Sequence, residues 1–360
     1  MRYYGSVGRR FSPLAVLPAR LAGIASLAGV VALSAIGTPQ ENPLVPGQPG
    51  SWQTVPPITP RIQAGLTPAE RTAISASVNQ ILEILRRMPQ MASPAGFQVI
   101  PHATVELQNF DHSDGKRVAC ITADVLVNLA PFERTSRGVE AAEQDTAAHV
   151  DIKVNDLQPL LGSDTGLSDD QGAFIQNPPE PVDTVHGYPV YEEGNGDRWV
   201  FIRRNAVPFF APVTAGRYLL ARTAAVERQL ADARDRRAKV PAGVPASIVA
   251  TIDDAIAGFQ RQVANYQKAY AAMTTAERAA PARVLDTTGD EPPKFAAADD
   301  GSATAIVYFN PALMAPGLAR STPQILAVHI GAKDDRWPGL TAKLDAELDW
   351  AALDKFVHQQ

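Results

Sequence analysis

Hydrophobic residues recur with a helical period between Ile252 and Met273. Seven apolar side chains are spaced there by three or four residues, close to a heptad repeat: Ile252, Ile256, Phe259, Val263, Tyr266, Tyr270 and Met273. A second helical stretch precedes Pro241, with a thinner apolar seam that ends near Leu230. The pattern predicts a long antiparallel helical hairpin over residues 214–273, with coiled-coil character. Its least covered part is expected near the tip, at Ile248, Val249 and Ile252.

Other helices are marked by their start signals. Thr67 and Glu70 form a capping box around Pro68, which predicts the first helix. Thr274 and Glu277 form a second box and predict a short helix. At the end of the chain, apolar residues between Leu340 and Val357 predict an amphipathic closing helix.

Runs rich in β-branched and aromatic residues predict strands on both sides of the helical hairpin. They span residues 96–108, 116–128, 149–155, 187–193, 198–203, 304–309 and 324–330. The chain is therefore expected to be an α+β protein: one mostly antiparallel sheet built from both halves, with the helical hairpin as an insertion and the C-terminal amphipathic helix. Residues 158–184 are expected to form a long loop.

The first 37 residues have the pattern of a signal peptide. A basic region precedes the uninterrupted apolar run from Leu21 to Ile36, and small residues at Ala35 and Gly37 suit cleavage before Thr38. A retained membrane anchor is the alternative, although the run is slightly shorter than the roughly 20 residues that cross a bilayer. The expected location is therefore the periplasm or the medium. Arg9 and Arg10 leave the general and twin-arginine export routes both open.

Seven prolines in residues 38–66 predict an extended linker, followed by one α+β domain over residues 67–360. This layout is similar to that of exported bacterial proteins, and it indicates no particular activity.

Charge and cysteine content exclude some classes of function. Removal of residues 1–37 takes away four arginines and no acids, so the formal charge changes from −5 to −9. An acidic chain of this kind is not expected to bind nucleic acid, which requires a basic face. The single cysteine, Cys120, cannot form an internal disulfide and is expected to be a small buried residue.

The common catalytic signatures are absent from the sequence: Gly-x-Ser-x-Gly, His-Glu-x-x-His, the phosphate-binding glycine loop and Cys-x-x-Cys. The turn from Asp111 to Gly115 does not fit the calcium-loop template, because Phe110 and Ile121 would occupy ligand positions. His149 and Asp151 share one face of a strand, but a metal site needs further ligands. No metal and no cofactor are therefore expected.

Two sets of residues near residues 187–204 are candidates for a site. Glu192, Glu193 and Asp197 could supply an acid and a base, although adjacent glutamates on a strand point to opposite faces. The predicted ligand-binding residues are Trp199, Phe201 and Arg203, which alternate along a strand and so line one face. An aromatic face with an arginine can bind a sugar, a peptide or a small acid. Alternatively, the two rings pack beneath the helical hairpin with the arginine at the rim.

Two functional hypotheses follow. The first is an exported cell-envelope protein without enzymatic activity, which binds an unknown protein or small molecule or acts as a scaffold. The second is a secreted hydrolase with a dispersed active site near residues 187–204. Membrane association is expected only through an uncleaved N-terminal segment. A pocket that gathers two or more of five residues would favour the hydrolase: His102, His149, Glu192, Asp197 and Arg203.

Overall fold

The computed structural model describes residues 43–54, 66–111, 117–143, 146–160, 163–170, 172–193, 196–241, 243–285, 291–297, 300–315, 317–333 and 336–358. The predicted signal segment lies outside these residues. The described residues form seven α-helices: α1 (Pro68–Arg86), α2 (Pro89–Ala92), α3 (Ala215–Ala238), α4 (Ala246–Ala272), α5 (Thr275–Ala279), α6 (Leu340–Glu347) and α7 (Trp350–His358).

The same residues form thirteen strands: β1 (Phe97–Asp111), β2 (Arg117–Thr135), β3 (Gly138–Ala141), β4 (Ala148–Val154), β5 (Ser163–Asp169), β6 (Gly172–Gln176), β7 (Asp183–Val185), β8 (Tyr188–Glu192), β9 (Arg198–Arg203), β10 (Phe210–Pro212), β11 (Arg283–Val284), β12 (Thr304–Phe309) and β13 (Ile325–Ala332). All pairings between these strands are antiparallel. The predicted α+β class is confirmed.

The larger sheet contains strands from both halves of the chain. Its order is β1-β2-β4-β13-β9-β8-β7, and β3 pairs with the far end of β2. Helices α1, α2, α6 and α7 contribute to a continuous core on one face of this sheet. Helix α1 supplies a buried stripe with helical spacing, formed by Ile74, Val78, Ile81, Leu82 and Leu85. Helix α7 supplies a second buried stripe, formed by Leu353, Phe356 and Val357. Each fully buried side chain of this kind stabilises the fold by roughly 1.5–3 kcal/mol.

The expectation of one sheet is wrong, because a second sheet has the order β10-β12-β6-β5, with β11 paired to β12. Two of its strands lie in residues 158–184, which were expected to be a loop. The β5–β6 register shifts between Asp164 and Ser168, and Gly166 has a φ of 68° in this bulge. The bulge breaks the alternation by which a strand is recognised in sequence.

Residues 214–273, predicted as a helical hairpin, contain α3 and α4 packed side by side. Arg237 contacts Asp253 at one end at 2.7 Å, and Arg222 donates to the Tyr266 hydroxyl near the other at 3.2 Å. Of the α4 side chains, all of which the structure describes, Tyr266 alone is buried. Ile248, at the start of α4, is 51 % exposed. Most of the α4 stripe is thus only partly covered by α3.

The C-terminal region forms two helices where one was predicted. Leu348 ends α6 in an extended conformation, with φ −68° and ψ 128°. Trp350 then starts α7, and its indole N–H donates to the Asp345 carbonyl at 3.1 Å. The bend turns both Leu344 and Leu353 towards the core of the larger sheet. No helix formed by the described residues is both long and apolar enough to cross a membrane.

Part of the predicted linker is bound to the larger sheet. Within residues 38–66, the stretch 43–54 forms isolated bridges to β1 and β2, through Trp52 to Val99 and through Leu44 to Glu133. The Trp52 indole donates to the Met91 carbonyl at 2.7 Å. This stretch is therefore attached to the domain and not free of it.

An ion pair joins α1 to the segment that precedes β13. Both nitrogens Nε and Nη2 of Arg320 donate to the Glu70 carboxylate at 2.7 Å, while Glu70 also completes the capping box of α1 with Thr67. The Arg320 carbonyl in turn accepts from the Ile121 amide of β2 at 2.9 Å. Hydrogen bonds from Arg320 and then from the Thr67 amide lower the pKa of Glu70 from 4.5 to about 2. The Glu70–Arg320 ion pair thereby joins two residues that are 250 positions apart in the sequence.

Glu70→Gln should lower the free energy of unfolding at neutral pH by about 1–3 kcal/mol, because a charged bidentate contact is lost while glutamine can still cap the helix. The lowered pKa means that this stabilisation is complete above pH 4.5 and is lost as the pH falls towards about 2. Urea unfolding at several pH values measures the difference.

The matched control is Glu277→Gln, which alters the equivalent capping box of α5 with Thr274. The Glu277 side chain is exposed, so this variant should remain close to wild type. Equal effects of the two substitutions would show that the Arg320 contact contributes nothing.

Candidate functional site

Strand β4 presents apolar and polar side chains on opposite faces. Its burial alternates strictly, and Ala148, Val150, Ile152 and Val154 belong to the core beneath the helices. His149, Asp151 and Lys153 therefore lie on the other face of the larger sheet. The sequence predicted this shared face for His149 and Asp151.

The register of the sheet extends that face across neighbouring strands. Asp124 of β2 lies opposite Lys153, and Asp151 lies opposite His329 of β13. His329 in turn lies opposite Trp199 of β9. We call the six residues Asp124, His149, Asp151, Lys153, Trp199 and His329 the polar cluster.

Lys153 lies between the two carboxyl groups of the polar cluster. Its Nζ is 3.6 Å from Asp124 Oδ2 and 4.0 Å from Asp151 Oδ2. The two carboxyl groups also lie within hydrogen-bonding reach of each other. Burial, followed by repulsion from Asp124, raises the pKa of Asp151 from 3.8 to about 8. For Lys153, burial alone would lower the pKa, but attraction to Asp151 and Asp124 makes the net direction upward.

The two histidines are packed together above a glycine. The ring centroids of His149 and His329 are 5.0 Å apart. A Cβ atom added at Gly331 would lie 2.8 Å from His149 Nε2 and 2.9 Å from His329 Nε2, so any other residue here would require the two imidazole rings to move. The Nδ1 atom of His329 is 2.9 Å from the Arg198 carbonyl oxygen. Burial, and then the neighbouring His329, lowers the pKa of His149, although Asp197 opposes this shift.

Trp199, Phe201 and Arg203 lie on the predicted common face, but the two rings are covered. Trp199 is 5 % exposed and Phe201 is fully buried. They pack with Phe209 and with the short 3-10 helix Pro311–Leu313, and not beneath α3 and α4. The role of these three residues in ligand binding stays a prediction.

Polar contacts hold Trp199 and Arg203, the first and last of these three residues, in place. The Trp199 indole donates to Glu193 at 3.2 Å, and the Lys153 ammonium lies 5.4 Å from the ring centroid of Trp199. Arg203 donates to the Val207 carbonyl at 2.6 Å and lies over the Phe209 ring. Access of a ligand to the rings would require these covering contacts to open.

The remaining sequence candidates are dispersed. Asp197 lies near the histidines, with Oδ1 3.9 Å from His329 Nε2, whereas Glu192 is exposed at the end of β8. The side chains of the 111–115 turn lie outside the described residues. Cys120 is buried, and burial raises the pKa of its thiol to about 11, so it remains a protonated thiol at neutral pH.

A cavity of about 340 Å³ lies on the opposite face of the larger sheet, under the C-terminal helices. Its wall is mostly aliphatic, with a few polar groups at the margin. It is lined by Val185, Val190, Arg198, Val200, Val328, Ile330, Gly339, Thr341, Ala342, Asp345 and Trp350. None of the five residues proposed to gather in a hydrolase pocket lines this cavity.

The polar margin of the cavity is organised by ion pairs and ring stacking. Arg198 Nη2 contacts Asp183 at 2.6 Å, and His186 Nε2 is 3.4 Å from Asp345. The His186 ring stacks on Trp350 with centroids 4.9 Å apart. Both a cation and a carboxylate thus line the cavity beside an aromatic ring.

The part of the chain that the structure describes contains no group of three or more His, Cys, Asp or Glu side chains placed to hold a metal ion. Comparisons of the chain with models of protein families, with curated proteins and with solved structures found no match. The candidate sites therefore rest on the geometry of this chain.

Gly331→Ala should displace the His149 ring and separate it from His329, because the added methyl group occupies the space of both imidazoles. The displacement should lower the free energy of unfolding by about 1–3 kcal/mol. Two-dimensional NMR of the histidine ring protons measures the change in ring environment. Gly317→Ala, where the added methyl group meets no atom within 4 Å, is the control. Unchanged histidine signals in Gly331→Ala would contradict the described packing.

Proposed function

We propose that the protein is an exported binding protein that holds a small, largely apolar ligand in the cavity beneath α6 and α7. The observation that carries this proposal is an aliphatic cavity of about 340 Å³ with a few polar groups at its margin. Ligand sites in proteins commonly have this volume and this composition. Export is part of the proposal and rests on residues 1–37, which lie outside the described part of the chain.

The lining of the cavity suggests the chemistry of the ligand. Val190, Val200 and Val328 offer only apolar contact, and Trp350 adds an aromatic surface. Arg198 and Asp345 are already paired with Asp183 and His186. A ligand with an apolar body and one neutral hydrogen-bonding group therefore fits better than a strongly charged one.

The polar cluster is the feature that favours the hydrolase alternative, because the pKa values of its Asp151 and its His149 are shifted. However, the cluster and the cavity lie on opposite faces of one sheet, since Val328 and His329 are neighbours on β13. A ligand in the cavity would be separated from these groups by the backbone of the sheet. Binding without chemistry is therefore the better supported function.

The binding proposal is tested with 1-naphthol, which has an aromatic body and a single hydroxyl group. Titration followed by NMR should give saturable shifts of the Trp350 indole N–H and of the β13 amides. Ala342 is exposed on α6 and lines the cavity. Ala342→Trp should therefore weaken binding by about tenfold or more, because the new indole ring would occupy the space of the ligand.

Ala346→Trp is the matched control, since Ala346 is also exposed on α6 but does not line the cavity. It should bind the probe as the wild type does. Absence of saturable shifts in the wild type, or equal affinity in Ala342→Trp, would contradict binding in this cavity.

A further inference from the structure

The buried part of the polar cluster contains more negative than positive groups. The side chains of Lys153 and Asp151 are each 15 % exposed, and Asp124, whose side chain is 39 % exposed, contacts the same ammonium group. One lysine neutralises one carboxylate, so ionisation of both aspartates would leave an uncompensated charge. Asp156, just after β4, adds further negative potential at Asp151. An uncompensated charge in a buried site costs several kcal/mol in general.

Two oxygen atoms in this group receive no hydrogen bond from the described residues. Oδ1 of Asp124 and Oδ1 of Asp151 are both buried without a partner, while both Oδ2 atoms face Lys153. Two ionised carboxylates can only accept hydrogen bonds and cannot satisfy each other. A proton on one carboxyl group supplies the missing donor and also balances the charge of the lysine.

We propose that Asp124 and Asp151 share one proton at neutral pH, and that holding this proton makes the folded state lose stability as the pH rises from acidic towards mildly alkaline values. The groups facing the pair are Lys153 and His149 from β4, Asp156 after β4 and His329 from β13. Of these, Lys153 is the cation within 4.0 Å of both carboxyl groups. Once both carboxylates are ionised, they repel each other and their buried oxygens require water.

The direction of the shift at Asp151 is consistent with this geometry. Its pKa is raised to about 8 in the folded protein, from 3.8. A raised carboxyl pKa means that unfolding releases a proton between these values, so the folded state becomes less stable as the pH rises through this window. Below pH 3.8 the group is protonated in both states and contributes no pH dependence.

Asp151→Asn in the full chain tests the proposal, because the amide can donate to Asp124 and does not ionise. The quantity to compare is the ratio of the unfolding equilibrium constant of the wild type to that of the variant. This ratio should rise by about tenfold per pH unit between about pH 5 and 7 and should level off above about pH 8. Urea unfolding across this range measures the ratio. Asp254→Asn, at an exposed aspartate of α4, should keep the pH dependence of the wild type.

A second variant and a direct probe keep the proposal testable if Asp151→Asn does not fold. Asp124→Asn removes the like charge and should also flatten the pH dependence. Lys153 lies over the Trp199 ring. In the wild type, the NMR signal of the Trp199 indole N–H should therefore shift with a midpoint near pH 8. Carbon NMR of the Asp151 carboxyl group should show the same midpoint. Titration of this carboxyl group near pH 4, or an unchanged slope in the folded variants, would overturn the shared proton.

Discussion

Strand β13 is the element on which the rest of the structure depends, because it joins both halves of the chain in one sheet. It pairs with β4 from Leu326–Val154 to Ala332–Ala148, and with β9 from Ile325–Arg203 to His329–Trp199. Without it, β4 and β9 would each expose an unpaired edge. The helices α6 and α7 follow β13 in the chain, so the layer that covers the larger sheet depends on the same strand.

The alternation of β13 also explains why the two candidate sites are separate. Val328 and Ile330 line the cavity, whereas His329 and Gly331 belong to the opposite face with the polar cluster. A ligand bound under α6 and α7 therefore contacts an aliphatic wall. The ionisable groups on the other face are held together by Lys153 and by the packing of the two histidine rings.

Much of the larger sheet could be predicted from sequence, since its strands are apolar and β4 alternates strictly. The capping box at Thr67 and Glu70 located α1, and the common face of His149 and Asp151 was predicted. Of the second sheet, β12 was predicted as a strand, but its partners were missed because β10 and β11 are very short and β5 contains a bulge at Gly166. The polar cluster could not be assembled from sequence, because Asp124 and His329 meet Asp151 only through strand register.

The central claim is that β13 is locked between β4 and β9, and amide hydrogen exchange of β13 tests it most directly. The amides of Leu326, Val328 and Ile330 should exchange only through global unfolding, with the same free energy that urea unfolding gives under identical conditions. Exchange of these amides through a local opening, at a free energy well below that of global unfolding, would contradict this account of the fold.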